Sequence, residues 1–328
     1  MSASKKVPRG AAPLVGLPSG ALQMLTRPGP ITNLVSLFER RSYREAELVS
    51  DGLRLHYEVH GTGEQVVVLL HGILLDSQMN RRLAADLAER GFRVVLLDMP
   101  GHGLSDKPRH ASAHRMDSYA RHVVALLDQL GVEQAVVGGV SLGANVSLQV
   151  AVQAPERVRA LLVEMPVLEY ATPGAALVFL PLLLGVHYAA PVVRLVARIA
   201  HRLPSTRIGA LDSFLTTLKL QPEEAAAVLH GMIVGPITPT YEQRRAIEVP
   251  TLVIGHKIDF IHPFTDADHL TRQLPDARLL EAHSILELRT MPARLTEQIA
   301  EFLSGVFSPW QQRRSAVSRN DVGLGGTA

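Results

Sequence analysis

From residue 46 to residue 163, short apolar runs alternate with stretches of helical spacing. Leu53–Val59 alternates in polarity, which predicts a strand, with Gly61-Thr62-Gly63 as its turn. Val66–Leu70 and Arg93–Leu97 are nearly continuous apolar runs, the pattern of strands covered on both faces. Between them, Ser77–Glu89 places its apolar residues at helical spacing and Gly91 ends it. The alternation continues with a helix over Asp117–Leu130, a strand over Gln134–Val137, a helix over Leu142–Gln153 and a strand over Val158–Val163. Helices alternating with short buried strands predict βαβ units. The expected class is α/β, with a mostly parallel central sheet and helices on both faces.

The alternation stops at Met165 and resumes near Pro250. It returns as a strand over Thr251–Ile254, a helix near Asp266–Gln273, a strand over Arg278–Glu281 and a helix over Pro292–Leu303. The expected organisation is therefore a core of residues 46–164 and 247–307, interrupted by a helical cap over 165–246. That insertion is far longer than an ordinary loop. Residues 308–328 turn polar and Gly-rich, which predicts a disordered tail. Residues 1–45 form a basic, apolar N-terminal extension. Within it Ile31, Leu34, Val35 and Phe38 share one helix face, suited either to docking on the main domain or to a membrane interface. A signal peptide could start at Lys5, Lys6 and Arg9, but Pro13, Pro18 and Gly20 interrupt its apolar part.

The 328 residues are 47% hydrophobic and 20% charged, the balance of a folded chain. The absence of cysteine excludes thiol catalysis, thiolate metal sites and a disulfide scaffold. The net charge of +2 is uneven: residues 1–45 sum to +5, residues 311–328 to +2, and the body between them to −5. A basic arm on an acidic body argues against a nucleic-acid partner and for an anionic membrane surface. The expected location is cytoplasmic, peripheral on the inner face of the membrane, rather than secreted.

Gly139-Val140-Ser141-Leu142-Gly143 has the form G-x-S-x-G and lies between a predicted strand and a predicted helix. That context suits a nucleophilic serine on a tight turn at the carboxyl end of the sheet. A serine hydroxyl needs a base, and the base needs an orienting carboxylate. Among fourteen histidines, His283 directly follows the strand Arg278–Glu281, and Asp259 follows the strand Thr251–Ile254 within one short loop. Both fall at the sheet edge that carries Ser141, where sites form in open parallel sheets. His262 and His256 compete for the role of base, but they share the loop of Asp259 and read as helix-entry or surface residues. Glu164 and Glu169 are weaker candidates for the acid. His71-Gly72-Ile73 follows another strand; the Ile73 and Leu142 N–H groups are the expected oxyanion donors, with His71 bracing the loop.

Taken together, His71-Gly72, Asp98–Asp106, Gly139–Gly143, Asp259 and His283 resemble the α/β-hydrolase fold superfamily from about Ala46 to Phe307. The resemblance implies Ser141 as nucleophile, His283 as base, Asp259 as acid, Ile73 and Leu142 as oxyanion donors, and neither cofactor nor metal. It also implies that residues 165–246 are a cap over the nucleophile. Tyr170–Val193 contains no Asp, Glu, Lys or Arg, so a lipophilic substrate is expected, with Leu177, Phe179, Leu183 and Tyr188 lining its pocket. A membrane crossing there would separate strands that must join one sheet. The expected function is serine hydrolysis of a lipophilic carboxylic ester, such as a monoacylglycerol or another medium- to long-chain ester. Alternatives are the same triad acting on a thioester, an amide or a carbon–carbon bond, the last disfavoured by the residues around Ser141, and a non-catalytic ligand-binding protein of this fold. Peripheral membrane contact could come through the arm or the cap.

Overall fold

A computed structural model of the chain describes residues 43–285 and 287–322. The expected helix face at Ile31–Phe38, the signal-peptide reading and residues 323–328 lie outside the described residues. Eight strands form one sheet: β1 Tyr43–Ser50, β2 Leu53–His60, β3 Val66–Leu70, β4 Arg93–Leu97, β5 Ala135–Val140, β6 Val158–Glu164, β7 Thr251–His256 and β8 Ala277–Ala282. Their order is β1-β2-β4-β3-β5-β6-β7-β8. Strand β2 runs antiparallel to both of its neighbours, and all pairs from β4 to β8 are parallel. Every residue of β3, β5 and β7 is buried, which is why these strands read as continuous apolar runs.

Strand β1 corrects the boundary expected at residue 46. It pairs with β2 from Tyr43↔His60 to Ser50↔Leu53. Asp51 and Gly52, both at positive φ, make the tight turn of the hairpin. Its charged residues Arg44, Glu45 and Glu47 are all exposed, as suits a sheet edge, so hydrophobic periodicity gives it little signal.

The helices before the cap are α1 Arg81–Glu89, α2 Met116–Gln129 and α3 Leu142–Gln153. The cap holds α4 Thr172–Tyr188, α5 Ala190–Ala200, α6 Gly209–Thr217, α7 Pro222–Val234 and α8 Tyr241–Arg245. After it come α9 Phe264–Gln273, α10 Glu287–Thr290 and α11 Ala293–Val322. Helix α11 continues past Trp310 to Val322, so the tail expected to be disordered is helical over its described part. One apolar cluster joins α2, α3 and α9 to one face of the sheet through Leu126, Leu148 and Leu270. A second joins α1 and α11 to the other face through Leu87, Leu295 and Ile299. The strand side chains divide by parity, with Val66, Val68 and Leu70 in the first cluster and Val67 and Leu69 in the second.

The cap leaves the sheet after β6 and returns at β7, and these two strands are neighbours. Three buried polar side chains fasten its stems. Asn145 in α3 donates to the carbonyls of Val167 at 2.7 Å and Ile237 at 2.8 Å, and accepts from the Val167 N–H at 3.1 Å. Asp266 in α9 accepts the N–H groups of Leu168, Tyr170 and Ala171 at 2.8, 3.1 and 2.9 Å. Arg244 in α8 reaches Pro239 O, Gln273 and Glu169.

Asp266→Ala strands three N–H groups and is expected to lower stability by on the order of 3 kcal/mol, read from urea titrations. Limited proteolysis should then cut first near residues 165–172. An unchanged midpoint and cleavage pattern would reject this fastening role.

Candidate functional site

Strand β5 ends at Val140 and α3 starts at Leu142, so Ser141 alone makes the turn, at φ +55° and ψ −109°. A non-glycine residue at positive φ is strained and persists only where its surroundings hold it. Here Ser141 N–H donates to Glu164 O at 2.9 Å, and Gly143 N–H donates to His71 O at 3.1 Å. The two glycines of the motif are required by space. A Cβ on Gly139 would lie 2.6 Å from Leu70 O, and one on Gly143 would lie 2.5 Å from the same atom.

The Ser141 hydroxyl meets the imidazole of His262, with Oγ 2.9 Å from Nε2. The other ring nitrogen, Nδ1, is 2.8 Å from Asp259 Oδ2. An ionised carboxylate only accepts, so Nδ1 carries the proton and Nε2 is the acceptor facing Ser141. The Asp259 carboxylate also accepts the N–H groups of Ile261 and His262 through Oδ1. This Asx turn folds the loop back on itself and brings a histidine three residues on beside its own acid. Burial pushes the Asp259 carboxyl up, but the hydrogen bonds from the His262 ring and backbone and from Ile261 outweigh it and hold it below the usual carboxylate range.

His283, the expected base, is not joined to Ser141. Its N–H donates to Glu287 Oε2 at 2.7 Å and its ring lies 3.2 Å from the same oxygen. Arg294 closes the group with an ion pair to Glu287 Oε1 at 2.8 Å. The His283 side chain is 72% exposed, whereas that of His262 is 13% exposed. The ring within hydrogen-bond reach of the Ser141 hydroxyl is therefore that of His262 and not that of His283. Sequence reasoning weighed His262 and ranked it below His283, because it sought base and acid at two different strand ends. The signal was the Asp-x-x-His spacing, which an Asx turn can close.

The loop after β3 matches its expected form. His71 Nδ1 donates to Gly72 O at 2.8 Å, and Nε2 accepts the Met99 N–H at 3.0 Å. Burial lowers the His71 pKa and keeps the ring neutral for both bonds. The Ile73 and Leu142 N–H groups find no acceptor among the described residues. Above this loop, Leu183 and Val186 of α4 pack with Leu220 and Leu229, against Ile73, Leu74 and Phe179. Two of the four residues expected to line a pocket, Phe179 and Leu183, thus pack against the loop of Ile73 and Leu74. The other two need correction: Leu177 is 64% and Tyr188 80% exposed, on the outer side of the same helix. Gly174, at the start of α4, lies against the Asp259–His262 loop, where a Cβ would stand 2.6 Å from Phe260 O.

Glu164 and Glu169 do not reach His262. Glu169 pairs with Arg244 at 2.7 Å. Glu164 is buried beside the Ser141 backbone, with Arg289 at 2.8 Å and His256 at 3.4 Å. Burial raises its pKa, but the Arg289 charge and the neighbouring His256 ring overcome that and hold it at about 2. No group of three or more His, Asp or Glu side chains is disposed to hold a metal ion among the described residues.

A family model described as the alpha/beta hydrolase fold matches residues 65–180. The 2-hydroxy-6-oxononadienedioate/2-hydroxy-6-oxononatrienedioate hydrolase of Burkholderia vietnamiensis is 36% identical over 134 residues, covering 39% of this chain and 46% of that protein. The aligned region spans less than half the length of the curated relatives matched first. Among solved structures, the enol-lactonase of Burkholderia xenovorans LB400 superposes with a TM-score of 0.64 at 20% identity, over 79% of this chain and 100% of that one. A thermophilic esterase from Thermogutta terrifontis gives 0.62 at 23% identity, over 80% and 99%. At these identities the two structures establish the fold.

The Glu164 cluster carries a pH dependence. Its carboxyl sits at about 2 in the fold against an ordinary value of 4.5, so unfolding takes up a proton between those values. The stabilisation is complete above the unfolded value and is lost as pH falls toward the folded one. Urea midpoints of the native chain should therefore fall across this acid window, and Glu164→Gln should be less stable at neutral pH and show a shallower fall. Parallel pH profiles for the two proteins would reject the assignment.

Proposed function

We propose that this chain, a member of the α/β-hydrolase fold superfamily, is a serine hydrolase that cleaves a lipophilic carboxylic ester through an acyl-enzyme. The observation that carries the reading is the unbroken hydrogen-bond path from Asp259 through His262 to the Ser141 hydroxyl, held on a strained turn at the carboxyl edge of the sheet. Ser141 Oγ attacks the ester carbonyl as its proton passes to His262 Nε2. The new C–O bond converts the carbonyl oxygen to an oxyanion, which the Ile73 and Leu142 N–H groups receive. Each such donor contributes on the order of 3 kcal/mol to the transition state. His262 then gives its proton to the leaving alkoxide as the ester C–O bond breaks. Water, deprotonated by the same ring, releases the acid and restores Ser141. Asp259 holds the ring in the required tautomer and stabilises its charged form.

The preference for a lipophilic acyl or alcohol group rests on the apolar inner side of the cap, where Phe179, Leu183 and Leu220 face the loop of Ile73 and Leu74. A second reading, hydrolysis of a carbon–carbon bond beside a carbonyl, draws support from the resemblance to the Burkholderia vietnamiensis hydrolase.

Ser141→Ala and His262→Ala are each expected to reduce turnover of p-nitrophenyl octanoate by at least about a thousandfold, while His283→Ala stays within about tenfold. The reverse ranking of the two histidine variants would return the base to residue 283. Failure of Ser141 to label with a fluorophosphonate, in a chain that also lacks esterase activity, would favour the ligand-binding alternative. Within an ester series, preference for acetate over octanoate would reject the lipophilic pocket. Faster turnover of a vinylogous diketone than of any ester would select the carbon–carbon reading.

A further inference from the structure

The outer side of the cap carries a feature that the hydrolase reading does not use. Helices α4 and α5 meet at 94°. Leu183 and Val186 of α4 turn inward, but Leu180, Leu184 and Tyr188 are 52%, 47% and 80% exposed. On α5, Val192, Leu195 and Ile199 are 60%, 53% and 52% exposed. A soluble surface helix places polar residues on its outer face, and a contiguous exposed apolar surface marks a binding surface.

Charge identifies the occupant. From Tyr170 to Leu211 there is no Asp or Glu, while Arg194, Arg198, Arg202 and Arg207 all lie in this stretch. The rest of the body is acidic. Arg194 is paired with Glu223. Arg198 and Arg202, four residues apart and both exposed, make no ion pair among the described residues. A second copy docking by the same surface would bring like charges together, with no carboxylate from 170 to 211 to meet them. Residues 1–42 are also basic, with six Lys or Arg against Glu39. An anionic lipid surface satisfies both the apolar and the cationic parts. A crossing is excluded by topology: the stretch leaves from β6 and returns to β7, and these strands pair from Leu161↔Thr251 to Glu164↔Ile254. No single helix among the described residues is long and apolar enough to span a bilayer.

We propose that the bent pair α4–α5 is a monotopic membrane-docking surface. Its exposed leucines, Val192 and Ile199 enter the headgroup–acyl boundary of an anionic bilayer, and Arg198 and Arg202 contact lipid phosphates. This inference is independent of the hydrolase reading, because its test measures binding and not turnover.

The test is cosedimentation of the full chain with vesicles of phosphatidylcholine alone and of phosphatidylcholine mixed with phosphatidylglycerol. The native chain should favour the mixed vesicles, and added salt should weaken that preference. Arg198→Glu/Arg202→Glu should lower the partition coefficient on mixed vesicles by at least about tenfold and abolish the preference. Leu180→Ser/Leu184→Ser, at exposed positions, should weaken binding to both compositions, with circular dichroism unchanged in both variants. Native-like sedimentation of both variants would overturn the proposal and move any binding to another part of the chain, as would failure of the native chain to bind either vesicle. It would equally fall if sedimentation velocity without lipid found a dimer that Leu180→Ser/Leu184→Ser converts to monomer, since the face would then belong to a second copy.

Discussion

The site depends on one close approach, that of the Leu70 carbonyl to Gly139 and Gly143. There is no room for even a methyl group at either glycine, because each added Cβ would press on the carbonyl oxygen of the neighbouring strand. This contact lets α3 begin directly at the end of β5 and forces the turn onto a single residue. Ser141 then takes a backbone conformation that costs on the order of 1–3 kcal/mol, offset by the surrounding ladder and by the N–H bonds to Glu164 O and His71 O. A looser turn would relieve the strain and also release the hydroxyl from its place beside His262 Nε2.

The cap is tied to that same unit rather than to the sheet at large. Asn145, one helical turn beyond Ser141, holds the outgoing and returning stems at Val167 and Ile237. Asp266, four residues beyond His262, holds the outgoing stem at three N–H groups. Gly174 lets α4 rest on the carbonyl of Phe260, within the loop that carries Asp259 and His262. Ser141, His262 and the cap therefore share their supports. The contact between the cap and the Asp259–His262 loop is therefore one of backbone against backbone, with no room for a side chain at Gly174.

Legibility followed burial. The strands β3, β4 and β7 were readable because both of their faces are covered, so their sequences are nearly uniform in polarity. Strand β1 was not, because an edge strand with charged, exposed residues offers no apolar run; its strongest mark was the Asp51-Gly52 turn. Ser141 was readable because the glycine constraint writes itself into the motif, and Asp259 because it follows a buried strand. His262 was hidden by a property that periodicity does not carry, the ability of an aspartate side chain to cap its own loop and turn a nearby ring toward itself. His283 looked more suitable in chain order, yet the structure gives its ring to Glu287.

The cap shows the other limit. Helix α4 is apolar all round, so no periodicity distinguishes the side that meets Ile73 and Leu74 from the side that meets solvent. Hence Leu183 and Leu177, equally hydrophobic in the sequence, ended on opposite sides. In a helix that needs only to cover a pocket, selection for solubility removes apolar residues from the outer face, because each one exposed loses the benefit of burial and invites association. Their retention along α4 and again along α5, together with the absence of any acid from 170 to 211, means that the outer face is not matched to bulk water. A cap whose inner side suits a lipophilic group and whose outer side suits a lipid surface would take its substrate from the phase in which that substrate is most concentrated. The physical property shared by the two sides is then a single one, low polarity around a helix whose N-terminal end is held to the core by Asp266.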